Sequence, residues 1–132
     1  MTLPSPRVVL VIEDEANIVN VIEHSLVGMY VEVVSAENGE AGVELAAQLQ
    51  PDLILLDLAL PGMSGWEVLD AVRATPHGAT VPVVVVTAHG DSATAVQARE
   101  SGANEFLSKP FLPTELRRLV ERFVATSVPK SA

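Results

Sequence analysis

Four apolar stretches of this sequence end in polar side chains whose types could support chemistry. Asp57 directly follows the apolar run 53–56, and a fully apolar strand has no reason to finish in a charge unless that charge opens onto a site. The other three stretches end in the acidic run 13–15, in Thr87 and in Lys109. If all four are parallel strands of one sheet, their polar ends meet at one edge. The pattern therefore predicts a single site that combines carboxylates, a hydroxyl and a lysine.

The acidic side chains expected at this edge favour a divalent metal. Glu13, Asp14 and Asp57 would place three carboxylates near one point, where each raises the pKa of the others unless a cation neutralises them. Oxygen ligands of this kind suit Mg²⁺, with Mn²⁺ as the alternative ion. Glu15 is assigned instead to the solvated start of the following helix, where the helix dipole favours an acid.

The same residues are typical of phosphoryl transfer. An aspartate can act as a nucleophile and form an aspartyl phosphate, and phosphoryl transfer depends on charge neutralisation and in-line positioning more than on a general base. Lys109 would add a second positive charge, and the Thr87 hydroxyl could donate a hydrogen bond to a phosphoryl oxygen. Thr87 and Lys109 are weak signals singly, but together with Asp14 and Asp57 they make a strong one.

A regular alternation of strands and helices must position these residues. Strands are predicted at 8–12, 31–35, 53–57, 83–87 and 105–108. Helices are predicted at about 16–27, at about 39–48, from Ser64 (whose spacing to Glu67 forms a capping box), at about 92–101 and from Pro113. This alternation predicts a parallel sheet with helices on both faces, joined by right-handed crossovers. Ligands of such sheets bind at the carboxyl ends of the strands, which is the edge described above.

Chain length, composition and net charge exclude several classes of protein. The chain has 132 residues, 48% of them hydrophobic, which fits one domain with a packed core. It has no cysteine, which excludes disulfides, thiolate metal sites and a cysteine nucleophile. A formal charge of −9, from 17 acidic against 8 basic residues, argues against direct nucleic-acid binding and against an anionic membrane surface. No apolar run approaches the roughly 20 residues that span a bilayer, and the first residues do not resemble a secretory signal, so a cytoplasmic location is expected.

Four motifs together resemble one known family. They are VLVIEDE, LILLDLALPGMSG, VVVVTAHG and EFLSKPF. With these motifs the chain resembles the receiver domains of two-component response regulators, the CheY-like family, from about Arg7 to Ala125. The resemblance implies an α/β, flavodoxin-like (βα)5 three-layer sandwich, with a five-stranded parallel sheet in the order 2-1-3-4-5 and helices on both faces. It divides the chain into an N-terminal arm (1–6), a receiver domain (7–126) and a disordered C-terminal tail (127–132).

The resemblance also assigns roles at the predicted metal site. It implies that Asp57 is the phosphoacceptor and a metal ligand. It further implies that Asp14 binds Mg²⁺ directly and that Glu13 binds it through water. The backbone carbonyl of Ala59 is implied as a further ligand.

A second group of residues is implied in holding and sensing the phosphoryl group. Thr87 and Lys109 would hold it, and the Lys109–Pro110 peptide bond is expected to be cis. Phe106 matches the switch aromatic, which in the family turns inward when the threonine moves toward the phosphoryl group. The face made by the fourth helix, the fifth strand and the fifth helix would then shift between two arrangements and change its binding of a partner protein.

Some positions depart from the usual family pattern. Glu13 stands where aspartate is commoner, so the metal geometry is expected to differ slightly. Phe106 stands where tyrosine is common, so the switch residue has no hydroxyl. Ala59 and His89 occupy positions that in the family tune how fast the phosphoryl group hydrolyses, and Ala59 cannot help to orient water.

The implied function is a signalling switch rather than a metabolic enzyme. A histidine kinase or histidine phosphotransfer protein would donate to Asp57, with the chain itself catalysing the transfer and a slow dephosphorylation. A downstream protein would bind the switched face. Arg117, Arg118 and Arg122 on the last helix form either a further partner surface or a solvated face. A stand-alone regulator and a fragment of a larger one both stay open, as do a monomer and a phosphorylation-dependent dimer.

Three other classes fit the pattern less well. A haloacid-dehalogenase-like phosphatase needs a second acid two residues after its nucleophile, where this chain has Ala59. A flavodoxin-like FMN carrier needs a loop rich in glycine and hydroxyls after the first strand, where the acidic run 13–15 would repel phosphate. A receiver-like interaction module that is never phosphorylated stays open, although the intact set of site residues disfavours it.

Overall fold

A five-stranded parallel sheet carries helices on both faces. The computed structural model describes residues 5–88 and 91–127, with side chains to residue 124. The strands are β1 (Arg7–Ile12), β2 (Val31–Ala36), β3 (Leu53–Leu56), β4 (Val83–Thr87) and β5 (Glu105–Ser108). The helices are α1 (Ala16–Ser25), α2 (Gly39–Leu49), α3 (Gly65–Arg73), α4 (Ser92–Glu100) and α5 (Pro113–Ser127). The strand order is β2-β1-β3-β4-β5 with every pair parallel, which confirms the predicted fold class and order.

Alternating side chains along the strands divide the core into two layers. In β1, Leu10 and Ile12 pack on the side of α2, α3 and α4, whereas Val9 and Val11 pack on the side of α1 and α5. Strands β3 and β4 are buried along their whole length, as expected at the centre of a parallel sheet that is covered on both faces. The covered faces leave the two ends of the sheet as the places where polar groups can collect.

The ends of the elements differ from the prediction by a few residues. Strand β3 ends at Leu56, so Asp57 lies one residue beyond it, although its N–H still donates to the Ile12 carbonyl at 3.1 Å. Helix α1 ends at Ser25 rather than near residue 27. Helix α5 continues to Ser127, the first residue of the predicted tail. The other predictions for 1–4 and 128–132, and that for His89, fall outside the described residues.

Two local predictions from the sequence are confirmed. The capping box at the start of α3 is complete, because the Ser64 hydroxyl accepts from the N–H of Glu67 and the Glu67 carboxylate accepts from the N–H of Ser64. The Lys109–Pro110 peptide bond is cis. Within the described ranges, no helix has the length and apolar character needed to cross a membrane.

At the amino ends of the strands, one arginine holds two connections together, the segment between α3 and β4 and the segment between α4 and β5. The guanidinium of Arg73, at the end of α3, donates hydrogen bonds to four oxygens, which we call the Arg73 clamp: the carbonyls of Gly78, Val81 and Gly102, and Oδ1 of Asn104. Burial lowers the pKa of Arg73 from its usual value. The clamp holds the segments that lead into β4 and β5, and thereby fixes where those strands begin.

Candidate functional site

Four neighbouring strands each deliver one polar side chain to the carboxyl edge of the sheet. Glu13 follows β1, Asp57 follows β3, Thr87 ends β4 and Lys109 follows β5. Glu13 and Asp57 are each 4% exposed, and Thr87 is fully buried. The residues that the sequence analysis singled out are therefore gathered at one place and largely withdrawn from water.

Lys109 links the two buried carboxylates. Its Nζ lies 2.6 Å from Oε1 of Glu13 and 3.2 Å from Oδ2 of Asp57. Burial alone would lower the pKa of Lys109, but hydrogen bonds and Coulomb attraction to the two carboxylates outweigh it, and the pKa lies above its usual value. Lys109 therefore stays protonated and gives the site a fixed positive charge.

Glu13 is an acid whose pKa is strongly shifted. Burial raises its pKa to about 7; the hydrogen bond from Lys109 opposes this rise, and the negative charge of Asp57 adds to it. The other carboxylate oxygen, Oε2, accepts a hydrogen bond from the N–H of Glu15 at 3.2 Å. Near neutral pH the metal-free site can thus hold a proton that a divalent cation would displace.

Four carboxylates are arranged so that one cation could bind them together. One oxygen from each of Glu13, Asp14, Glu15 and Asp57 lies within 4.8 Å of the others. Glu13 and Asp57 are buried whereas Asp14 is exposed, so oxygens approach the common point from the core and from the solvent side. Glu15 was predicted to be solvated, and its side chain is 62% exposed, but it also lies 3.7 Å from Nζ of Lys109. Hard oxygen donors in this arrangement fit Mg²⁺ or Mn²⁺.

Thr87 has an unusual environment for a hydroxyl. Its Oγ1 is buried, and no hydrogen-bond partner for it exists among the residues that the structure describes. Most buried polar atoms have a hydrogen-bond partner, so a buried hydroxyl without one needs an explanation. One explanation is a ligand that binds during function and accepts the hydrogen bond. The Thr87 carbonyl accepts from the N–H of Lys109 at 2.9 Å, which holds the two residues side by side.

The loop after Asp57 turns back onto the start of α3. The N–H of Ala59 donates to Oδ1 of Asp57 at 3.1 Å, and the N–H of Gly65 donates to the Leu58 carbonyl at 3.0 Å. A Cβ atom at Gly65 would lie 2.3 Å from the carbonyl oxygen of Asp57, so only glycine fits here. Sequence analysis missed Gly65, and its one signal was a poor helix former at the first position of a helix.

Comparison with known proteins decides the family. The family model described as the response regulator receiver domain matches residues 9–121. The chain belongs to this family. Among curated proteins it is similar to the transcriptional regulatory protein KdpE of Mycobacterium tuberculosis, at 38% identity over 123 residues, which is 90% of this chain and 53% of KdpE. It is also similar to the response regulator PleD of Caulobacter vibrioides, at 40% identity over 106 residues, 80% of this chain and 23% of PleD. The receiver thus spans about half or less of these relatives.

Solved receiver structures share the fold. The chemotaxis protein CheY4 of Vibrio cholerae superimposes with a TM-score of 0.82 at 28% identity, covering 89% of this chain and 98% of that one. The receiver domain of the sensor histidine kinase PA1611 of Pseudomonas aeruginosa has a TM-score of 0.83 at 29% identity, covering 91% of this chain and 98% of that one. The PA1611 structure has a magnesium ion coordinated in its active site cleft.

Ion pairs connect the three elements α4, β5 and α5 on one face of this receiver. Glu105 on β5 lies 2.8 Å from Arg99 on α4 and 2.8 Å from Arg122 on α5. The hydrogen bond from Arg122, together with that from Arg99, holds the pKa of Glu105 below its usual value although burial opposes the shift. The adjacent Phe106 is half-buried and packs against the core layer on the side of α2, α3 and α4. One carboxylate thus connects three elements of the face that the family resemblance singled out.

The three arginines predicted as a surface on α5 have different surroundings. Arg117 donates to the carbonyls of Ser25 and Val27 at the end of α1, at 3.2 and 2.7 Å. Arg122 pairs with Glu105 as described, whereas Arg118 is exposed. Arg117 and Arg122 therefore hold elements together, and a continuous basic surface is not formed by the three.

Proposed function

We propose that this receiver is a phosphoacceptor, in which Asp57 takes a phosphoryl group from a histidine kinase or histidine phosphotransfer protein in a Mg²⁺-dependent step. The observation that carries the proposal is that a buried carboxylate, Asp57, and a buried hydroxyl, Thr87, lie at the ends of neighbouring strands, and that the hydroxyl has no hydrogen-bond partner in the described part of the chain. A purely structural ion pair between Asp57 and Lys109 would not need an orphan hydroxyl beside it.

The metal would be held by Glu13, Asp14 and Asp57 with the backbone carbonyl of Ala59. A bound Mg²⁺ or Mn²⁺ supplies positive charge that neutralises the phosphoryl oxygens. Burial disfavours the charged form of Glu13 and raises its pKa, and a bound cation would offset that cost by stabilising the carboxylate. The magnesium-containing PA1611 receiver is a relative that favours the same ion.

Three side chains of the receiver would carry out the transfer. A carboxylate oxygen of Asp57 attacks phosphorus in line with the leaving group. Lys109, already 3.2 Å from Asp57, neutralises negative charge that arrives with the phosphoryl group. The Thr87 hydroxyl donates the hydrogen bond for which it has no acceptor among the described residues of the resting protein. The protein would act as a switch that catalyses its own phosphorylation and its slow dephosphorylation.

The phosphorylated state would be sensed on the face made by α4, β5 and α5. Thr87 pairs in register with Ser108 of the neighbouring strand, and Val85 pairs with Phe106. Movement of Thr87 toward the phosphoryl group therefore changes the packing beside Phe106. The Glu105 ion pairs, which connect α4 and α5 across this strand, would rearrange with it and present a different surface to a downstream protein.

The deciding experiment is intact mass spectrometry after incubation with Mg²⁺ and acetyl phosphate. We expect one added phosphoryl group on the wild-type protein and none on Asp57→Asn or without Mg²⁺. Asp70→Asn, which changes an exposed aspartate on α3, is the matched control and should be phosphorylated like wild type.

Three results would contradict the proposal. A phosphoryl group that persists on Asp57→Asn would show that another residue is modified. A wild-type protein that binds Mg²⁺ and forms a stable beryllofluoride complex, but is phosphorylated by neither acetyl phosphate nor any histidine kinase, would lack the transfer activity. Failure of the beryllofluoride complex as well would favour an interaction module that is never phosphorylated.

A further inference from the structure

A cavity of about 390 Å³ opens beside the proposed phosphoacceptor. It lies between the loop after β3 and helix α4, with α3 at its side. Its lining residues come from all three: Leu58, Ala59, Trp66, Asp91, Thr94 and Gln97. No role in the proposed function uses this cavity except the metal ligand assigned to the backbone of Ala59.

The cavity begins where a leaving group would have to go. Its wall includes Ala59, whose N–H is bonded to Oδ1 of Asp57 at 3.1 Å. Phosphoryl transfer is in line, so the leaving group points away from the attacking carboxylate. Oδ2 of Asp57 faces the mostly buried Lys109, which also contacts the buried Glu13. Oδ1 faces the N–H of Ala59, and Ala59 is exposed, so the side of the loop is the side of Asp57 that opens to solvent.

The lining has the chemistry to bind a planar cationic ring. Trp66 is the one tryptophan of the chain, and it both packs on the core and lines the cavity, so its ring is held in place. Tryptophan is the best partner for a cation over its face. The carboxylate of Asp91 brings a negative charge to the rim, and its Oδ1 is fixed by accepting from the N–H of Thr94 at 2.7 Å. Thr94 and Gln97 lie three residues apart on one face of α4 and add polar groups.

We infer that this cavity receives the leaving group of the phosphodonor and favours the protonated imidazole of a phosphohistidine over the carboxylate of an acyl phosphate. The inference rests on the proposed function of Asp57. In the preferred reaction the P–N bond breaks as the Asp57 O–P bond forms. The bonding electron pair goes to the ring nitrogen, and the ring, already protonated on its other nitrogen, leaves as neutral imidazole. With acetyl phosphate the P–O bond breaks instead, and the departing acetate is an anion that Asp91 repels.

The test compares two donors on each protein. N-phosphoimidazole and acetyl phosphate are each supplied with saturating Mg²⁺, and the rate constant for phosphorylation is taken from intact mass over time. Trp66→Ala should lower the ratio of the phosphoimidazole rate constant to the acetyl phosphate rate constant about tenfold, and Trp66→Phe should retain most of it because a ring remains. Asp91→Asn, which keeps the helix cap but removes the charge, should lower the ratio about threefold.

Matched controls lie outside the cavity. Tyr30→Ala removes an aromatic ring that is 60% exposed, and Glu100→Gln removes a charge at the other end of α4. Both should leave the ratio unchanged. Because each ratio is measured on one protein sample, a partly unfolded variant lowers both rate constants and leaves the ratio intact.

The outcomes separate this inference from the proposed function. If both donors phosphorylate Asp57 but the ratio stays within about twofold of wild type in Trp66→Ala and in Asp91→Asn, the cavity does not select the leaving group and the proposed function still holds. If neither donor phosphorylates the wild-type protein, the proposed function is wrong and the inference falls with it. Should Trp66→Ala fail to fold, Asp91→Asn decides.

Discussion

The burial of the Thr87 hydroxyl lowers the free energy of unfolding of this protein. It is fully buried and, over the part of the chain that is described, has nothing to bond with. A buried unpaired hydroxyl costs about 1–3 kcal/mol of folding free energy. The proposed phosphoryl group would give this hydroxyl its acceptor, so the resting state carries a cost that only the phosphorylated state recovers.

Thr87→Val should therefore separate stability from function. Valine has nearly the shape of threonine without the hydroxyl, so we expect the free energy of unfolding to rise by about 1 kcal/mol in urea denaturation. The same variant should lose phosphorylation, which intact mass measures. It should also lose the binding of beryllofluoride at the site. Thr114→Val, at an exposed position on α5, is the control. A Thr87→Val protein less stable than wild type would show that the hydroxyl is paired after all.

Glu13 predicts an unusual dependence of stability on pH. Its pKa is raised from 4.5 to about 7 in the folded protein, so between these values the folded state keeps a proton that the unfolded state has released. Stability from this group is therefore greatest at low pH and falls as the pH rises through the window from 4.5 to about 7. The full effect is about 3 kcal/mol, which a bound cation would remove.

The measurement is the urea midpoint of the metal-free protein between about pH 5 and 8, which brackets the raised pKa. Wild type minus Glu13→Gln separates Glu13 and its two coupled neighbours, Asp57 and Lys109, from the rest of the protein, because the histidines and the acids away from the site titrate equally in both proteins. We expect the difference to fall with pH without metal and to flatten or reverse with saturating Mg²⁺. A difference that is independent of pH in both conditions would refute the raised pKa.

The sequence predicted which residues lie at the site, but not their protonation or their hydrogen-bond partners. Polar residues at the ends of apolar strands share one edge of the sheet once the strands are parallel, so the sequence alone could place Asp57, Thr87 and Lys109 at that edge. That their strands are neighbours came from the family resemblance. The orphan hydroxyl, the raised pKa of Glu13 and the contact of Glu15 with Lys109 depend on burial and on distances between separate elements. No spacing in the sequence encodes these quantities.

Among the elements, helix α3 is joined through its last residue to the segments that precede β4 and β5. Arg73 donates to backbone carbonyls of the segments before β4 and β5 and to the side-chain oxygen of Asn104, which lie 5 to 31 residues away in sequence. From the sequence, an arginine at the end of a helix indicates only a favourable interaction with the helix dipole. The contacts between distant segments that make up the Arg73 clamp were therefore not predictable.

Arg73→Met should lower the free energy of unfolding by about 3 kcal/mol, because it leaves several partly buried carbonyl groups without a donor. Arg73→Lys should recover part of the loss, since lysine keeps the charge but not the planar fork of donors. Arg118→Met, on the exposed face of α5, serves as the control in the same denaturation experiment. The rate of phosphorylation at low temperature should be unchanged, because the clamp lies at the opposite edge from Asp57. A large fall in that rate would contradict this prediction and show that the Arg73 clamp influences the site around Asp57.

Helix α4 buries fewer of its described residues than any other helix. Of its nine residues, all within the described part, only Ala98 is buried, whereas α3 buries four residues over the same length. Local stability follows buried apolar contacts, so hydrogen exchange measured by mass spectrometry should be faster in α4 than in α3. Equal exchange in the two helices would argue against α4 as the part of the face that moves.

Across the whole molecule, the two edges of the sheet have opposite characters. The amino edge is closed by the Arg73 clamp, and the carboxyl edge concentrates buried charge and an unpaired hydroxyl, among the residues described. The alternation of strands and helices was enough to predict this parallel, two-faced architecture. The strand order was not contained in that alternation and came from the family resemblance, because several orders satisfy the same crossovers. The order matters for function, since it makes β1, β3, β4 and β5 neighbours.

The position of Trp66 has a practical consequence. All tryptophan emission of this molecule arises from one indole, which lines the cavity next to the loop that carries Asp57. Its fluorescence is therefore a local optical signal rather than an average over the fold. Metal binding, phosphorylation and binding of the phosphodonor could each be followed in real time on the unlabelled protein, from the fluorescence intensity and the emission wavelength of this one indole.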